Sequence, residues 1–116
     1  MSDFSHVDDK GNVRMVDVTE KVNSQRVAKA EGLISMKHET IAAIQDDELP
    51  KGNVLTTAKV AGIQAAKKTA EIIPMCHQLN LSYVDIEFLF MSDHILIRSI
   101  VKTKEATGVE MEALSA

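Results

Sequence analysis

The sequence predicts an α+β fold built on an antiparallel sheet, on three observations. Residues 25–37 alternate with a period of two. Two further alternating runs, 83–90 and 95–101, flank the turn residues Ser92-Asp93-His94 and read as a hairpin. Between them lies one long helical repeat that opens at Asn53. At 116 residues the chain fits a single domain, 1–116. Its 45% apolar and 26% charged content excludes a disordered tail or a fibre. The net charge of −4 and 3% aromatic content argue against nucleic-acid partners, including RNA held by helix lysines. A single cysteine, Cys76, excludes an intrachain disulfide and suits a reducing compartment. With no apolar leader and no run of about 20 apolar residues, a cytosolic, cytoplasmic protein without membrane partners is expected. So few aromatics leave a small domain little area to bury, and oligomerisation is the expected remedy.

The elements follow in order. Residues 1 to about 24 are polar, with a turn at Asp8-Asp9-Lys10-Gly11-Asn12 and an apolar patch, Met15-Val16-Asp17-Val18, expected to dock on the body of the protein. In the first strand Ala28, Ala30, Gly32, Ile34 and Met36 share one face; Lys29, Glu31, Leu33 and Ser35 share the other. His38 to Gln45 reads as a short helix with Ile41 and Ile44 on one side, and an acidic loop leads through Pro50 to Gly52. Asn53 is a good N-cap for the long helix, whose stripe is Val54, Ala58, Ala61, Ala65, Thr69 and Ile72. These residues are mostly small, helped by Gly62 and Ala66, so the helix is expected to lie tight against its neighbour until Pro74 stops it. In the hairpin Val84, Ile86, Phe88 and Phe90 form the core face. Thr107-Gly108-Val109-Glu110 has the spacing of a capping box and predicts a helix start. That helix is too short to stand alone, and the expectation is a fragment whose last helix continues.

Several residues could carry chemistry. Lys51-Gly52-Asn53 lies at the mouth of the long helix, where free N–H groups and the positive end of the dipole favour a phosphate or carboxylate. No Walker A spacing is present, and a solvated loop lysine is the plainer reading. Cys76 and His77 alone do not make a metal site, because zinc needs three or four ligands. Cys76 reads first as a packed small hydrophobe, and His77 as either a packed ring or an acid, base or anion donor. Lys59, Lys67 and Lys68 form a solvated face or a polyphosphate site that Arg26 would join through its fork. Glu110 and Glu112, two apart, would diverge on a regular helix. His6, His38 and His94 read as surface residues. A continuous helix over about 54–72 would be about 28 Å long. Lys51 and His77 would then act on one molecule only from two subunits related by a two-fold axis.

Taken in order, several stretches resemble the cyclic pyranopterin monophosphate synthase family, molybdenum cofactor biosynthesis protein C. They are Met15-Val16-Asp17-Val18, Arg26 with Ala28-x-Ala30, and Lys51-Gly52-Asn53-Val54. They continue through Ala61-Gly62-Ile63-Gln64-Ala65-Ala66-Lys67-Lys68-Thr69, Ile73-Pro74-Met75-Cys76-His77-Gln78-Leu79 and Thr107-Gly108-Val109-Glu110-Met111-Glu112-Ala113-Leu114. The resemblance implies a ferredoxin-like two-layer α/β sandwich and a homohexamer, a trimer of dimers with intersubunit active sites. It implies a lyase that rearranges 3′,8-cyclo-7,8-dihydro-GTP to cyclic pyranopterin monophosphate and releases pyrophosphate, with no cofactor indicated. Carried over residue by residue, Lys51 is the acid/base. Met75, Cys76, His77, Met111 and Glu112 contact substrate, and Arg26, Lys67 and Glu110 are further pocket residues. The family's active-site Asp and second Lys follow in a segment beyond Ala116, so the C-terminal part of the family fold is expected to be missing. A non-catalytic nucleotide-binding module is the alternative from another class. Departures from the family pattern include Asn53 for Asp, Met75 for Leu, Gln78 for Pro, Glu105-Ala106 for Gly-Lys and Ser115 for Thr.

Overall fold

Alternation is what builds the sheet. Ser24–Ser35 forms β1, Leu81–Phe90 forms β2 and His94–Glu105 forms β3. The strand order is β1-β3-β2, and both pairings are antiparallel. The computed structural model describes residues 6–46 and 53–116. β3 lies between two neighbours and carries the most buried side chains, Ile95, Ser99, Val101 and Thr103. On the inner face Ala28 lies opposite Val101 and Val101 opposite Val84, as the two expected core faces require.

Four helices complete the described chain: α1 (His38–Gln45), α2 (Val54–Lys67), α3 (Thr69–Ile72) and α4 (Glu110–Ser115). α2 packs on β2 and on α4, and α4 packs on β1 and β3. This is an α+β, ferredoxin-like two-layer sandwich with an antiparallel sheet. α1 occupies the expected residues and buries Ile41. Asn53 caps α2 by accepting the Thr56 N–H at 2.9 Å. The small-residue stripe does bring α2 close to the sheet. A Cβ added at Gly62 would overlap the Ile86 side chain and lie 3.2 Å from the Ala116 carbonyl carbon.

Two expectations are corrected. The long helix is not continuous, because it breaks at Lys68. The Thr69 hydroxyl donates to the Ala65 and Ala66 carbonyls at 3.0 and 2.9 Å, a back-bond that bends helices, and Thr69 itself is buried. α2 alone has 14 residues, so the rod is about 21 Å rather than about 28 Å long. The capping box at Thr107 does not form either. α4 starts two residues later with Val109 as its N-cap and no side-chain cap bond. Six residues of helix persist there because Val109 and Ala113 are buried against Ala66 and Val101. The buried Ser99 hydroxyl also donates to the Ala113 carbonyl at 2.6 Å.

Candidate functional site

Three separate stretches of chain meet at a cavity of 270 Å³ beside the start of α4. Met75, Cys76, His77 and Leu79 come from the turn after α3; Thr107, Gly108, Glu110, Met111 and Glu112 come from the approach to α4 and its first turn. His6, Val16 and Lys21 come from the N-terminal segment. Of the residues singled out in the sequence, Met75, Cys76, His77, Glu110, Met111 and Glu112 are thus brought together. Arg26 lies beside this group rather than in its wall. Its guanidinium donates to the Glu105 and Ala106 carbonyls, each at 3.3 Å, and so holds the strand end that leads into Thr107. Lys67 is exposed at the end of α2 and does not line the cavity. Lys51 and the acidic loop around it lie outside the described residues. Lys59 is engaged elsewhere, with its ammonium 2.8 Å from an Asp85 oxygen.

Local geometry explains how both glutamates reach one cavity. Glu110 and Glu112 both lie in α4, and Glu110, at its first position, reaches the cavity through its side chain rather than through its place on the helix face. Glu110 folds its carboxylate back over Gly108, where any Cβ would collide with both carboxylate oxygens. Glu112 is 4% exposed and lines the cavity. No side-chain hydrogen bond from another described residue satisfies it. Burial holds its carboxyl above the usual carboxylate range against the hydrogen bond from its own backbone N–H, and the Glu110 charge pushes upward with burial. A carboxyl of raised proton affinity in a small cavity is a candidate proton donor or acceptor toward a ligand.

Cys76 belongs to the same electrostatic setting. Its thiol is pushed up by burial first and then by the Glu112 charge, so it stays protonated at neutral pH and is no activated nucleophile. The His77 ring accepts no such passive role, because its Nε2 is 2.6 Å from the Val16 carbonyl oxygen. Beside it Asp17 is held below the ordinary carboxylate range, chiefly by the Thr19 hydroxyl and amide. Among the described residues no group of three or more His, Cys, Asp or Glu side chains could hold a metal ion, and no helix is long and apolar enough to cross a membrane.

Sequence reasoning missed His6, Lys21 and Val16 as cavity residues. His6 reads as a surface residue because its neighbours in the chain are polar, and it is indeed exposed; only the turn of residues 6–14 brings it to the cavity. The signal for Val16 was the apolar patch that had to dock somewhere. Lys21 carries no such signal.

Residues 15–116 match the profile of the MoaC family. Over 114 residues the chain is 58% identical to a molybdenum cofactor biosynthesis bifunctional protein of Chlorobaculum tepidum, an alignment that covers 98% of this chain and 36% of that protein. It is 53% identical over 118 residues to a cyclic pyranopterin monophosphate synthase of Desulfatibacillum aliphaticivorans, covering 100% of this chain and 74% of the relative. A synthase of the same name from Brevibacillus brevis is 54% identical over 114 residues, covering 97% of this chain and 71% of the relative.

Proposed function

Because the chain belongs to the MoaC family, we propose that it acts as a cyclic pyranopterin monophosphate synthase in molybdenum cofactor biosynthesis. Its substrate is 3′,8-cyclo-7,8-dihydro-GTP. A ring rearrangement that needs several proton transfers is followed by closure of a cyclic phosphate. A hydroxyl oxygen attacks the α-phosphorus, the bond to the β-phosphate breaks, pyrophosphate leaves and the hydroxyl proton passes to a base. The observation that carries the reading is the nearly buried Glu112 carboxyl, without an ion pair among the described residues, in a cavity shared with Met75, Cys76 and His77. A carboxyl whose proton affinity is raised by burial suits the proton transfers, and its oxygens can accept from the N–H edge of a purine-derived ring.

In this reading Lys51 is the acid/base, and Met75, Cys76, His77, Met111 and Glu112 contact substrate. Glu110 lines the same cavity, and Arg26 and Lys67, outside its wall within one chain, hold phosphates where subunits meet. The pocket lies between subunits of a cytoplasmic homohexamer, a trimer of dimers, and needs no resident cofactor. Support for assembly comes from apolar residues left at the surface, among them Val60 at 55%, Leu33 at 61% and Leu114 at 64% exposure. The test is release of pyrophosphate from the cyclised GTP. Turnover is expected from the full-length protein that carries the family's active-site Asp and second Lys, with a loss of about 100-fold or more in Lys51→Ala, the scale of a lost acid/base group. Unchanged release in that variant would remove Lys51 from the mechanism, and a monomer in light scattering would remove the hexamer.

A further inference from the structure

We propose that the backbone carbonyl of Val16 is the positioning group of His77. It fixes the ring as the Nε2–H tautomer and leaves Nδ1 as the nitrogen free to engage what the cavity binds. A carbonyl oxygen can only accept, so at 2.6 Å the ring nitrogen must donate. Among the described residues His77 has no other hydrogen bond, which leaves Nδ1 uncommitted.

The carbonyl is itself held in place. The peptide that follows it belongs to Asp17, whose carboxylate accepts from the Thr19 amide at 2.9 Å and the Thr19 hydroxyl at 2.6 Å, closing a tight local turn. His77 and Val16 together form a partition. Both line the 270 Å³ cavity on one side and a second hollow of 390 Å³ on the other.

The same bond has a second consequence. The N-terminal segment is organised within itself. Val7 bridges Val13, Gly11 turns the chain at φ +81°, and Asp8 accepts from the Lys10 and Asn12 amides. Among the described residues, the one hydrogen bond from residues 6–23 to the rest of the protein is that between Val16 and His77. His77 therefore orients itself and tethers the segment that brings His6 and Lys21 to the cavity. Only the role of Nδ1 toward a ligand rests on the synthase reading; the tautomer and the tether do not.

The experiment uses the intact protein without nucleotide, so its failure is distinct from a failure of the proposed function. Long-range ¹⁵N–¹H spectra of histidine-labelled protein, taken above the pH at which the ring is charged, are expected to show His77 with a protonated Nε2 and a bare Nδ1. An Nδ1–H tautomer would overturn the proposal. In His77→Gln the amide nitrogen reaches the Nε2 position and keeps the tether; in His77→Asn it falls short. Tryptic cleavage at Arg14 and Lys21 is expected at the wild-type rate in the first variant. In the second it should be about two- to tenfold faster, the population change that one hydrogen bond supports. Equal rates in the two variants would overturn the tether.

Discussion

Two hollows in this molecule differ in what their charged groups are doing. The larger, 500 Å³, lies on the sheet face opposite the helices and is lined by Lys29, Glu31, Asp85, Glu87 and Arg98. Three of its charges are paired. Arg98 Nε is 2.8 Å from Glu31 Oε2, Lys59 reaches over to Asp85, and all four side chains meet solvent. The smaller, 270 Å³, holds an acid that is almost wholly buried and has no ion pair among the described residues, with a second carboxylate beside it and an imidazole on another segment. Size would select the first hollow and chemistry selects the second. Burial without a partner is costly, and a fold keeps such a group where a ligand completes it.

The sharpest way to break this comparison is to disable each hollow and follow pyrophosphate release. His77→Ala is expected to lower turnover about 100-fold, the scale of a lost acid, base or anion contact. Arg98→Ala is expected to change it less than about twofold, because an exposed ion pair contributes about 0–1 kcal/mol and touches no substrate. Similar losses in both variants would erase the distinction.

Next in size is the packing of α2 on the sheet. Gly62→Ala gains about 1 kcal/mol of helix propensity but forces a methyl into Ile86. Overpacking costs about 1–3 kcal/mol, so a net loss of up to about 2 kcal/mol is expected in urea unfolding. Smaller again is Ser99→Ala, which frees the Ala113 carbonyl under α4. A loss of about 1–2 kcal/mol is expected, together with faster amide exchange at Ala113 and Ala116, whose amides bond within α4. Exchange unchanged there would show that burial of Val109 and Ala113 alone holds the helix.

How much of this was legible in the sequence depends on the range of the interaction involved. The strands, α1 and the Asn53 cap were legible, because alternation and capping act over two to four residues. The close approach of α2 was legible in Ala58, Ala61, Gly62 and Ala65. The break at Lys68 was not, since Thr69 reads as one more stripe residue until its hydroxyl is seen to bond backward. The capping box failed for a related reason. Glu110 has the right spacing to return to Thr107, but tertiary packing starts the helix at Glu110 and leaves Thr107 and Gly108 in the cavity wall. Within the site, Met75-Cys76-His77 and Glu110-Met111-Glu112 were legible as motifs. The bond from His77 to Val16 spans 61 positions and has no signature in the chain.

The central claim is that Glu112 is kept buried without an ion pair for function and at a cost to folding. It is tested most directly by Glu112→Gln, measured for pyrophosphate release and for unfolding free energy across pH. Because burial raises the Glu112 carboxyl in the folded state, the fold binds that proton more tightly than the unfolded chain does. Its contribution to stability is therefore fully present below the unfolded value of 4.5 and lost as pH rises through the higher folded value. Relative to the wild type, Glu112→Gln should become progressively more stable over that window and remain more stable at pH 7, while its turnover falls by about 100-fold. A variant that is no more stable at pH 7, or that releases pyrophosphate at the wild-type rate, would contradict the account.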